Sequence, residues 1–329
     1  MALTLYLLLG VSLAGWILLE AGDLGASVFA LFARDEGDRS ACFAPSLPLF
    51  DGGELWLALH AAVVAFGFPL YGRVLFAVFG VPILLLAVLT VARLVCALVR
   101  ENSFDEALCR RCDVARGLCA LPVLFCAGWI PAALLRGLPV DYQGRVAGGL
   151  LAALHPYALL GGCCAVLFGL LCGTVALLPE AEEPFAARAR KIQPVLWLLL
   201  LFSGAAFLGW TIALPPGDGA FGRVPVWVGI AMTVMGLSLV STLSLQSSHV
   251  AAGICARVAS LGLPVLFFSL LFPFLVPSTT GDGMDHITVD VAVAGGAALR
   301  NAAIACGAVA LLLAAGGIVV ARLSRKGRL

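Results

Sequence analysis

The sequence predicts an all-α polytopic membrane protein of about nine transmembrane helices. Three observations carry this. Hydrophobic residues make up 62% of the 329 and charged residues only 12%, against about 45–50% and about 25% in soluble domains. The apolar residues run in continuous stretches of the roughly 20 residues that a helix needs to cross the hydrocarbon. They do not alternate, as the strands of a membrane β-barrel would.

The apolar runs are 4–32, 54–77, 78–100, 114–136, 147–178, 191–214, 224–246, 249–276 and 295–322. The first holds Glu20 and Asp23, is too long for a signal-peptide core, and reads as a retained helix. The second and third are contiguous, and Gly72-Arg73 and Gly80-Val81-Pro82 offer the turn between them. Gln246-Ser247-Ser248-His249 separates the seventh from the eighth. These helices form a single transmembrane domain spanning 1–329, expected as two four-helix bundles plus one peripheral helix.

Nine crossings place twelve basic residues on one side: Arg34, Arg39, Arg100, Arg110, Arg111, Arg188, Arg190, Lys191, Arg322, Arg325, Lys326 and Arg328. Arg73, Arg136, Arg145 and Arg223 fall on the other. The positive-inside rule then puts the N-terminus outside and the C-terminus in the cytoplasm. Arg110, Arg111 and Arg116 read as topology-setting charge. A net charge of +1, without a basic tract, gives no sign of a nucleic-acid partner.

Ionisable groups inside a membrane are costly and tend to be functional. Glu20 and Asp23 share a face of the first helix at i, i+3. Asp51 and Glu54 stand likewise at the entry of the second. All four fall in the cytoplasmic half, and helices joined by a modest loop can line them into a proton path. Asp51 has an alternative role as an N-cap, and Asp23, two residues before Gly25, one in helix packing. His60 invites a haem reading, but no other histidine offers an obvious partner, and a hydrogen-bonded interior histidine is preferred.

Of eleven cysteines, eight lie in apolar runs and act as small hydrophobes. Cys42, Cys109 and Cys112 are expected in loops. Cys109-Arg110-Arg111-Cys112 has the spacing of a metal knuckle or redox pair, but no second pair completes a zinc site. No metal site is expected. There is no Walker A motif, dinucleotide fingerprint or zinc-protease helix, so autonomous catalysis is not indicated.

Five strings, in order, resemble subunit II of cytochrome bd quinol oxidases nearly end to end. They are Glu20-Ala21-Gly22-Asp23-Leu24-Gly25, Phe50-Asp51-Gly52-Gly53-Glu54-Leu55-Trp56-Leu57, Phe68-Pro69-Leu70-Tyr71, His155-Pro156-Tyr157-Ala158-Leu159-Leu160-Gly161-Gly162, and Phe272-Pro273-Phe274-Leu275-Val276-Pro277-Ser278. Asp290 follows where the family has Trp-Asp-Ala. The resemblance implies a subunit of an enzyme that oxidises a membrane quinol and reduces dioxygen to water with cytoplasmic protons, in a bacterial or archaeal cytoplasmic membrane.

The resemblance further implies that b- and d-type haems belong to a larger subunit I, against which this chain packs. It places Glu20, Asp23 and Asp51 on a proton path, joined here by Glu54, and Trp56 near an oxygen entrance. With His60, Trp56 marks a candidate oxygen or quinone pocket, which a structural quinone would occupy. Partners are subunit I, small single-helix accessory subunits, the quinol and lipid. Phe50 and Gly53 depart from the family's Trp and Asn, and Glu54 adds an acid. The competing reading is an ion-coupled secondary transporter using the same carboxylates, and a third is a scaffold without chemistry.

Overall fold

A computed structural model describes residues 2–43, 53–141, 143–214, 219–246, 248–280 and 286–293, with scattered positions from 295 to 311. Seven described helices are long and apolar enough to cross a membrane: α1 (Ala2–Phe29, extended by a 3-10 turn to Phe32), α4 (Pro69–Asn102), α5 (Glu106–Arg136), α6 (Pro156–Leu177), α7 (Phe185–Ile212), α8 (Val224–Leu245) and α9 (His249–Leu271). A shorter apolar helix, α3 (Gly53–Ala62), continues as a π-turn to Gly67. A surface helix α2 (Glu36–Phe43) precedes it. Beyond α9, β1 (Phe274–Val276) pairs antiparallel with β2 (Ile287–Thr288), and a turn of helix α10 (Val289–Ala292) follows. The expected ninth crossing, 295–322, lies mostly outside the described residues, and the C-terminal basic cluster lies wholly outside them.

Local chemistry moves several expected boundaries. The break between the second and third runs falls at Phe68 (φ −132°, ψ 67°), not at 72–82. A residue before proline is pushed out of the helical region, and Pro69 then takes the first helical turn, where its missing N–H costs nothing. Gly72, Gly80 and Pro82 remain inside α4, which kinks at Phe79 (φ −109°, ψ 16°), three residues before Pro82. The α5 helix starts at Glu106 rather than 114, because the Asp105 carboxylate caps it by accepting the Ala107 N–H at 3.0 Å. The expected helix 147–178 is split. Gly148 and Gly149 take positive φ, a 3-10 turn covers Gly149–Ala153, and the extended His155 precedes Pro156 of α6. The start of α7 moves forward to Phe185, and α9 ends at Leu271, before Pro273.

Lipid removes the hydrophobic drive between helices, so close packing and polar contacts hold a bundle. The α1 helix sits centrally, against α3, α5, α6 and α9, while α4 packs on α5, α5 on α6, and α8 on α9. Glycines permit the closest approaches. Gly25 of α1 lies directly on the backbone of Gly169 and Gly173 of α6. A Cβ at Gly229 or Gly236 of α8 would meet α9 backbone at 2.6 and 2.8 Å. Polar ties include Tyr6 Oη donating to Phe268 O at 2.7 Å and Trp129 Nε1 donating to Ala153 O at 2.9 Å.

Candidate functional site

The i, i+3 spacing of Glu20 and Asp23 on α1 works as expected: both turn into the protein and are buried. What meets them is Arg93, which α4 carries to the same depth. Arg93 Nη1 donates to Glu20 Oε2 at 3.1 Å and Nη2 donates to Asp23 Oδ2. Arg116 of α5 adds a guanidinium 3.6 Å from Asp23 Oδ1. Glu20, Asp23, Arg93 and Arg116 are 4–6% exposed. Glu54 also bears on Arg93 electrostatically. The cluster thus draws on α1, α3, α4 and α5.

Gly53, at the start of α3, lies against the Glu20 carboxylate so closely that a Cβ would overlap it. Gly53 leaves room for Glu20, whose Oε1 is turned towards it. Asp51, with Phe50 and Gly52, lies outside the described residues.

A second set of charges lies two helical turns along α4, at Arg100. Its Nε donates to Asp113 Oδ1 at 2.7 Å and its Nη2 to Glu36 Oε1 at 2.6 Å. Arg39 pairs with Glu36 at 3.0 Å and with Asp113 at 3.6 Å. Asp38 accepts from Arg188 and from the Arg34 N–H, at 3.0 and 3.1 Å. Phe43 links the two sets: the guanidinium carbons of Arg116 and Arg100 lie 4.2 and 5.4 Å from its ring centroid, within cation–π range. Charged groups therefore run from Glu36, through Arg100 and Asp113, to Arg116, Asp23, Arg93 and Glu20. This arrangement gives acids that can take up and release protons, interleaved with bases that stay charged.

Two expectations need correction. Arg116, read as topology-setting charge, is buried beside Asp23. Cys42, Cys109 and Cys112 are on helices α2 and α5, not in loops, and Cys42 and Cys112 are buried. Burial and the neighbouring Asp38 and Asp113 push the Cys42 thiol up to about 12. Arg93, the one charge between Arg73 and Arg100, belongs with the candidate residues. The cost argument applied to Glu20 applies to it equally.

His60 faces α1, with Nδ1 3.0 Å from Ser12 Oγ and 3.2 Å from Leu9 O. Trp56 packs its indole on Gly15 of the same helix. Neither lines the apolar cavity of about 300 Å³ found among the described residues. That cavity lies between α1, α5, α6, α7, α8 and α9, walled by Leu13, Gly128, Phe168, Trp197, Gly204 and Phe267 among others. Among the described residues no cluster of three His, Cys, Asp or Glu has a metal-binding arrangement.

Comparison with known proteins agrees with this architecture. A family model described as cytochrome bd terminal oxidase subunit II matches residues 1–323. The chain is 22% identical over 201 residues to cytochrome bd ubiquinol oxidase subunit 2 of Bacillus subtilis (strain 168). That match spans 60% of each protein, less than two thirds of the Bacillus subunit. The fold superimposes with a TM-score of 0.73 on a chain from the structure of bd oxidase from Geobacillus thermodenitrificans, at 18% identity over 97% of this chain and 98% of that one.

Proposed function

Because the chain belongs to the cytochrome bd terminal oxidase subunit II family, we propose that it packs against a haem-bearing subunit I. In that complex it carries cytoplasmic protons towards the site where dioxygen becomes water. The observation that carries this reading is the run of alternating charges from exposed Glu36, through Arg100 and buried Asp113, to the buried cluster at Glu20. The haems of the partner supply the electrons and the dioxygen site. This chain's residues bring the protons.

In this reading the charged end faces the cytoplasm, in keeping with the basic bias of its loops. Arg100 and Arg39 hold Asp113 at the entrance. Asp23 stands between two guanidiniums and Glu20 beyond them, with Oε2 tied to Arg93 and Oε1 towards the start of α3. A proton reaching Glu20 rests on one of these oxygens while Arg93, which stays protonated, balances the remaining charge. Glu54, in the first turn of α3, continues the path, and Asp51 is the next acid before it in the sequence. A membrane quinol is the reductant, small single-helix subunits are further partners, and the membrane is the bacterial or archaeal cytoplasmic one. An apolar structural ligand such as a quinone tail would be taken by the apolar cavity enclosed by α1 and α5–α9 rather than by the surroundings of Trp56 and His60.

Purification tests this reading. The solubilised, tagged chain should bring down a larger polypeptide whose reduced-minus-oxidised spectrum shows b- and d-type haem. A folded, haem-free particle of this chain alone would refute the proposal and favour a carrier.

A further inference from the structure

We propose that Phe43, the last residue of α2, is a positioning residue of the proton path. Its ring holds Arg116 beside Asp23 and Arg100 beside Asp113 whether or not those carboxylates carry a proton. The inference deepens the proton-path reading and rests on it. Glu36, Arg39 and Phe43, spaced three and four apart, share a face of α2. That face meets α4 and α5. Arg100 Nη2 donates to Glu36 Oε1 at 2.6 Å, Arg39 Nε lies 3.6 Å from Asp113 Oδ2, and Phe43 follows one turn on. The helix is also pinned through Asp38, whose Oδ2 accepts from Arg188 Nη2 of α7 at 3.0 Å and whose N–H donates to Asp35 Oδ1 at 2.8 Å. The buried Phe43 ring is thereby fixed against two cations. The guanidinium carbon of Arg116 lies 4.2 Å from its centroid and that of Arg100 5.4 Å. Among the described residues it is the ring that meets a cation of each charged set.

A carboxylate that takes up a proton loses its charge, and with it most of its pull on a neighbouring guanidinium. When Asp23 is protonated, its ion pair with Arg116, at 3.6 Å, weakens. The attraction between a guanidinium and the face of a ring does not depend on that proton. Phe43 therefore keeps Arg116 within reach of Asp23 through the protonated stage, and the pair closes again when the proton moves on. Arg100, which donates to Asp113 Oδ1 at 2.7 Å, is held in the same way while Asp113 passes its proton inwards. Phenylalanine suits this place because it offers the ring face without the hydroxyl of tyrosine, which would compete for the carboxylates and for the proton.

The test replaces Phe43 in the intact complex by mono-, di- and trifluorinated phenylalanine, which keep the ring's shape while draining negative charge from its face. Phe43→Leu, which has no such face, and Glu20→Gln are prepared alongside. Two quantities are read: the heating midpoint of the purified complex, and quinol-driven proton uptake after reconstitution in vesicles. Both should fall stepwise along the fluorinated series, and Phe43→Leu should slow uptake about three-fold or more with the haem spectrum intact. Falling midpoints with uptake at the wild-type rate, while Glu20→Gln is slow, would overturn the positioning role and leave the proton path standing. Midpoints and uptake that both ignore fluorination would overturn the ring's hold on the arginines. Faster uptake in Phe43→Leu would overturn the proposal by making the ring a barrier. Wild-type uptake in Glu20→Gln would remove the path itself, and this inference with it.

Discussion

Replacing Arg93 by methionine removes the cation that holds Glu20 and Asp23 together while keeping a side chain of similar length. In the native cluster three acids, Glu20, Asp23 and Glu54, face two guanidiniums, those of Arg93 and Arg116. The variant leaves one guanidinium, that of Arg116, 3.6 Å from Asp23, to face three acids. Stranding one partner of a buried pair costs about 3–5 kcal/mol. At about 2 °C per kcal/mol for a large chain, the midpoint falls by about 6–10 °C. Unfolding of such complexes is commonly irreversible, so the assay is the fraction of complex still monodisperse on size exclusion after a fixed heating time at each temperature. Adding Glu20→Gln removes one of the three acids left facing a single guanidinium and should recover at least about half the loss, since Asp23 keeps Arg116. An Arg93→Met midpoint within about 2 °C of wild type, or a double variant as damaged as the single, would refute the buried-cluster reasoning.

Gly25→Leu would drive a side chain into the backbone of Gly169 and Gly173; the yield of assembled complex should collapse while Gly204→Leu, at a position with open space around it, assembles normally. Cys42 should resist N-ethylmaleimide in the folded protein: with its thiol pushed up to about 12, the reactive thiolate is only about 1 part in 10⁴ at pH 8. It should label fully in detergent-denatured chain, as read by peptide mass, and ready labelling of the native form would contradict its placement. Asp113→Leu leaves Arg100 and Arg39 only Glu36 of the two carboxylates they share and should cost about 1–3 kcal/mol, whereas Asp113→Asn, which still accepts from Arg100, should cost less; equal midpoints for the two would contradict the outer network.

Much of the fold is legible because lipid-exposed helices need no alternation of polar and apolar residues. Their runs stand out in the sequence, and the motifs around Glu20, Pro69, Pro156 and Pro273 resemble the family to which the chain belongs. Where the reading slipped, the local conformation of a single residue decided. Phe68 and His155 leave the helical region because proline follows each, and no hydropathy window records that. Glu20 and Asp23 were legible as intramembrane acids. Their partners were not, since Arg93 lies 73 and 70 residues away along the chain, and Arg116 reads with Arg110 and Arg111 as topology-setting charge. Asp113 was likewise hidden among charges that seemed to belong to a solvated loop, until α5 extended to include it.

Proton uptake during turnover in Glu20→Gln is the most direct test of the proposed role. The purified complex, reconstituted in vesicles with a pH indicator on the side of the Arg100–Asp113 cluster, is driven with quinol while dioxygen consumption is followed. With the haem spectrum intact, the proton-path account predicts that Glu20→Gln slows uptake and dioxygen reduction together by about ten-fold or more, the scale at which a positioned proton donor counts. Uptake and turnover at wild-type rates would contradict it and leave the buried cluster a structural tie between α1, α4 and α5.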